Sequence, residues 1–165
     1  MKKILLSIKS LVILLISFSF FFTLNNGIKL KADESIENKV TISSSTSEIT
    51  QGNSATANVY IETLKDISSL AIEIYFNPEV VSINYAYNSV SNLMNDSSIN
   101  EDNIKYTYIF NPSTEDNKTL LFYFNYKINN DALLGQSYFD IIISEAYDLS
   151  LNNIYVKGSR FSFNV

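Results

Sequence analysis

The stretch "IEIYFNPEVVSINYAY", residues 72 to 87, sets two alternating apolar runs on either side of a proline. Pro78 has no N–H and a fixed φ, so it cannot occupy the middle of a paired central strand. It ends one strand and begins a turn. Ahead of it, Leu70, Ile72, Ile74 and Phe76 recur with period two, and behind it Val81, Ile83 and Tyr85 do the same. That period predicts half-buried strands, each with one face toward a core.

Working outward, the same alternation appears along most of the chain. Val40 and Ile42 begin it, and Ala57, Val59 and Ile61 continue it after the turn at "QGNS". It resumes with Ile104, Tyr106, Tyr108 and Phe110, then Leu120, Phe122, Phe124, Tyr126 and Ile128, then Phe139, Ile141 and Ile143. Ile154 to Val156 and the terminal Phe161, Phe163 and Val165 are the last candidates. Residues 88 to 103, "NSVSNLMNDSSINEDN", are polar and read as a long excursion with at most a turn of helix at its start. Eight or nine short strands with polar turns and no helical period predict an all-β sandwich.

The N-terminus reads as an address. Lys2, Lys3 and Lys9 precede an unbroken apolar run from Leu11 to Phe22, and the polar Asn25, Asn26 and Gly27 follow it. This is the pattern of a secretory signal peptide, with Ala32 placed for cleavage before Asp33-Glu34. The expected organisation is a signal peptide over 1–32, a short linker over 33–38 and one domain over 39–165. A membrane association is expected only if the signal segment is retained.

Five of the twelve basic residues and none of the seventeen acidic ones precede residue 33, so seven basic residues face seventeen acidic ones in the remainder, a formal charge of −10. Nucleic acid is excluded as a partner, since phosphate binding needs clustered Lys and Arg. The chain has no His and no Cys. Ser-His triads, Cys-His pairs, His-based metal sites and disulfides are therefore excluded. Paired carboxylates remain chemically able to cleave a glycosidic bond. However, Asp96, Glu101, Asp102, Glu115 and Asp116 fall in polar loops, where a solvated surface is the expected role. "NDSSINEDN" lacks the glycine and closing glutamate of an EF-hand loop. No enzymatic activity, cofactor or metal is expected.

The order of these signals resembles a cohesin domain. The resemblance rests on Phe76-Asn77-Pro78-Glu79-Val80-Val81, on "LLFYFNYKINNDALLGQSYFDI" with Ala132 and Gly135 in place, and on the closing "GSRFSFNV" of residues 158 to 165. It spans Val40 to Val165. What it implies is a nine-stranded jelly-roll sandwich that binds a dockerin borne by a secreted polysaccharide-degrading enzyme. It further implies a docking sheet whose outward positions are Ser69, Ala71, Glu73 and Tyr75, then Lys105, Thr107 and Ile109, then Leu121, Tyr123, Asn125 and Lys127. The chain departs from the family pattern at Ser69 and Ala71, where many cohesins of the first type carry Asn and Asp.

Two other readings stay open on the residues alone. Direct binding of polysaccharide would use exposed rings such as Tyr60, Tyr75 and Tyr123, in a chain that has no Trp. Self-association of a surface subunit would use an edge strand.

Overall fold

Pro78 stands where the alternation places it, at the end of the third strand. In the computed structural model, which describes residues 38–111, 113–114 and 117–165, β3 (Ser69–Tyr75) ends just before Phe76-Asn77-Pro78. The Asn77 carbonyl accepts hydrogen bonds from the N–H groups of Val80 (3.0 Å) and Val81 (2.9 Å). Asn129 Nδ2 donates to the carbonyls of Pro78 (2.9 Å) and Glu79 (3.1 Å). A proline fits this corner because every donor the turn needs comes from its neighbours. The signal segment and all of the expected linker except Asn38 lie outside the described residues, as do Glu115 and Asp116.

The other strands are β1 (Val40–Ser44), β2 (Ser54–Ile61), β4 (Val81–Asn88), β5 (Met94–Ile99), β6 (Asn103–Ile109), β7 (Thr119–Ile128), β8 (Gln136–Tyr147) and β9 (Arg160–Asn164). No helix occurs among the described residues. A four-stranded sheet has the order β1-β2-β7-β4, and a five-stranded sheet the order β5-β6-β3-β8-β9. All these pairings are antiparallel. The chain changes sheet between β2 and β3, β3 and β4, β4 and β5, β6 and β7, and β7 and β8, which is the jelly-roll habit expected from the sequence.

The core lies between the sheets and is dominated by rings. Tyr106 of one sheet stacks on Phe122 of the other at 4.1 Å between centroids. Phe139 meets Phe124 and Tyr126 edge to face at 5.2 and 5.0 Å. The phenols buried among them keep polar partners. Tyr108 donates its O–H to the Leu121 carbonyl at 3.3 Å, and the Tyr126 hydroxyl lies 2.9 Å from Ser44 Oγ. Burial raises the pKa of both phenols, so they stay neutral in the core.

Four details of the alternation fail, each for a local reason. The stretch 88–103 holds no helical turn but the strand β5, a sheet edge whose six residues are all exposed. With neither face buried, it carries no apolar period. Tyr85 points outward, because the β4–β7 register shifts between Ile83 and Tyr85 with Asn84 as the extra residue. Leu121 is the extra residue in β7, where Val59 faces Phe122 and Tyr60 faces Leu120, and it is fully buried. Ile154 to Val156 form no strand; the segment is held by a bridge from Asn153 to Tyr147, by Ile154 N–H to the Ala146 carbonyl (2.9 Å) and by burial of Val156 in the core.

One glycine is fixed by close approach. A Cβ on Gly158 would stand 2.0 Å from the Ile141 carbonyl oxygen, beside the 2.9 Å bond from Ile141 N–H to the Ser159 carbonyl. Gly158→Ala must push β8 away from the segment that leads into β9. The expected loss is about 1 to 3 kcal/mol, read from the urea midpoint, and an unchanged midpoint would mean that this approach is not a tight one.

Candidate protein-docking face

The outward side of the five-stranded sheet is built by register. Across β3 and β6, Ser69 faces Ile109, Ala71 faces Thr107 and Glu73 faces Lys105. On the far side of β3, Glu73 faces Ile142 and Tyr75 faces Asp140 of β8. At the edge, Met94 of β5 faces Ile109 and Asp96 faces Thr107. A strand presents alternate residues to one face, so all of these share the solvent side.

The middle of this face is polar and ordered. The Tyr75 hydroxyl donates to Glu73 Oε2 at 2.5 Å, and Lys105 Nζ lies 3.5 Å from Glu73 Oε1. The bond from Tyr75, together with the charge of Lys105, holds the Glu73 carboxyl below the usual carboxylate range. The same bond raises the Tyr75 phenol, because its deprotonation would set two anions side by side. Farther along, Arg160 pairs with Asp140 at 2.6 Å and lies over the Tyr138 ring at 4.2 Å. Aliphatic groups stand at two places on the face: Met94 (60 % exposed) and Ile109 (39 %) opposite Ser69 at one end of β3, and Ile142 (49 %) opposite Glu73.

The pairing of Glu73 has a testable pH consequence. Its folded-state pKa lies below the ordinary 4.5, so its contribution to stability is complete above that value and is lost as the pH falls through the folded-state pKa. Glu73→Gln should lower the neutral plateau slightly and flatten the acid limb, so that variant and wild type converge once the pH falls below the folded-state pKa of Glu73. Urea midpoints from neutral pH down through that pKa check it. A variant with the wild-type acid limb would show that the carboxylate gains nothing from Tyr75.

The sequence-predicted positions divide into three groups. Ser69, Glu73, Tyr75, Lys105, Thr107 and Ile109 lie together on this face. Ala71 lies there too but is 5 % exposed, with the Ser144 hydroxyl 3.4 Å from its carbonyl, so it offers little surface. The third group corrects the mapping. Leu121 is in the core, and Tyr123, Asn125 and Lys127 are on the outer face of the other sheet, because β7 pairs with β2 and β4 and not with β6. Sequence reasoning missed Met94 and Ile142. The first sits in a stretch without a period, and the second is masked by the unbroken run Ile141-Ile142-Ile143.

No protein-family model and no curated protein matches this chain. Solved structures do. The non-cellulosomal cohesin from the archaeon Archaeoglobus fulgidus is 20% identical with a TM-score of 0.61, over 76% of this chain and 90% of that one. The cohesin module of the Clostridium perfringens family 33 glycoside hydrolase is 14% identical with a TM-score of 0.62, over 78% and 96%. The cohesin of the Coh-OlpA–Doc918 complex, a type I cohesin–dockerin complex from Clostridium thermocellum, is 14% identical with a TM-score of 0.63, over 77% and 99%. At these identities the likeness is one of fold, and the domain has the cohesin fold.

Proposed function

We propose that this chain is a secreted, non-catalytic binding module whose five-stranded sheet docks a dockerin on a polysaccharide-degrading enzyme. The observation that carries the reading is the exposed pair Met94 and Ile109, facing each other across β5 and β6 on the same face of the sheet as the Glu73–Tyr75–Lys105 cluster. Exposed aliphatics that face each other on a sheet suit a protein surface, since a few desolvated anchors supply most docking energy while the polar groups around the patch fix orientation. The likeness to a cohesin solved with its dockerin supports the partner class. The lack of His and Cys supports a role without chemistry, and the N-terminal apolar run supports export. Ser69 and Ala71 give this sheet a small, weakly polar stripe, so its dockerin should rely on aliphatic contact at that place.

The test is capture. The immobilised full chain is incubated with the secreted proteins of the source organism, beside an Ile109→Asp variant. Dockerin-bearing enzymes identified by mass spectrometry should be retained by the wild type and lost from the variant. Retention of none, or equal retention by both, would remove this reading.

A further inference from the structure

The opposite sheet carries a second built surface. On its outer face, Tyr87 of β4 faces Tyr123 of β7, and the two rings stack at 5.1 Å with planes 20° apart. Tyr85 follows at 6.3 Å from Tyr87 and is 66 % exposed. The extra residue Asn84 is what re-aims this pair: continued without a break, the Val81-Ile83 phase would turn Tyr85 and Tyr87 into the core. Polar groups without charge surround the rings. Asn58 faces Tyr123 from β2, and Asn125 faces Tyr85. Thr56 donates to Asn125 Oδ1 at 2.8 Å, which fixes that amide with its NH2 as the donor for a ligand.

We propose that this face binds a neutral polysaccharide chain through Tyr85, Tyr87 and Tyr123. The choice of ligand follows from what the block contains and lacks. Thr56, Asn58, Ser82, Tyr85, Tyr87, Tyr123 and Asn125 include no carboxylate, in a chain with seventeen of them, and Lys127 stands beside the block, facing Ser54 and Ser82. A neutral ligand needs no counter-charge. The block also lacks the exposed aliphatics that mark the other face, Met94, Ile109 and Ile142. Rings with amides and hydroxyls complement a sugar, whose C–H face stacks on an aromatic and whose hydroxyls both donate and accept. Cross-strand tyrosines also stabilise a sheet, and the experiment separates that role from binding.

The full chain is run in native gels containing hydroxyethyl cellulose, galactomannan or mixed-linkage β-glucan. At least one polymer should slow it, and Tyr85→Ala should weaken that retardation roughly tenfold with no change in thermal midpoint. Ile109→Asp should leave the retardation intact, so failure of this site and failure of the docking face are told apart. Three outcomes each overturn the proposal: no retardation by any of the three polymers, a Tyr85→Ala chain that is destabilised yet equally retarded, or a wild type that elutes as a dimer abolished by Tyr85→Ala, which would give the face to a second copy.

Discussion

Phe139→Ala is expected to cost about 3 to 5 kcal/mol of stability, the largest loss of any single truncation proposed for this domain. The Phe139 side chain has no exposed area. Its ring touches Phe124 at 5.2 Å and Tyr126 at 5.0 Å, both on the opposite sheet, Phe163 at 5.3 Å on β9 and Phe76 at 6.5 Å at the corner. Removing it leaves a space walled by four rings that are themselves held by neighbours, so collapse can fill little of it. Phe76→Ala should sit at the lower end of the same range, about 3 kcal/mol, because that ring is 7 % exposed. Phe139→Leu keeps most of the volume and should cost under about 1.5 kcal/mol. Chemical denaturation of the three variants checks the order, and a Phe139→Ala loss under about 1 kcal/mol would put that ring outside the core.

The corner residues explain how far a sequence of this kind can be read. Phe76 and Pro78 were legible because both are governed by strict rules: a period of two with one buried face, and a residue that cannot donate. Where the chain keeps a simple pleat, as in Ala57-Val59-Ile61 and Ile104-Tyr106-Tyr108, the inward set is the one the alternation gives. Two misplacements near the candidate sites, those of Tyr85 and Leu121, trace to an inserted residue. Asn84 and Leu121 each add one residue to a strand, and one residue exchanges the two faces. No local signal marks them: Asn84 lies inside an alternating run, and Leu121 lies inside the unbroken apolar run from Leu120 to Phe124. Tyr123 and Asn125 failed for a different reason. Their phase was right, but strands adjacent in sequence, β6 and β7, belong to different sheets, and that choice depends on long-range pairing invisible in either segment. Met94 was hidden because an edge strand exposed on both faces needs no apolar pattern. Thus the fold, which averages over many residues, was readable, while the outward set of the five-stranded sheet, which depends on a few phases and one crossover, was readable only in β3 and β6.

Ile109→Asp is expected to weaken dockerin binding by about 2 to 5 kcal/mol, roughly thirtyfold or more, while leaving folding nearly unchanged. Ile109 is already 39 % exposed, so a carboxylate there stays hydrated in the free domain, and such surface changes usually stay within about 0.5 kcal/mol. Docking changes that balance. A partner that covers Met94 and Ile109 would strip water from the new carboxylate without supplying a cation, and a buried, unpaired charge is costly. Asp96, which faces Thr107 on the same side of the sheet, adds a like charge nearby. Ile142→Asp should act in the same direction, because Ile142 flanks Glu73 from the other strand. Tyr123→Ala serves as the control, since its ring lies on the opposite sheet and should leave dockerin affinity unchanged. Calorimetric titration of a retained dockerin into the wild type and these three variants decides the matter. If Ile109→Asp binds within about twofold of wild type while Tyr123→Ala abolishes binding, the partner docks on the four-stranded sheet, and the aliphatic pair on β5 and β6 has some other occupant.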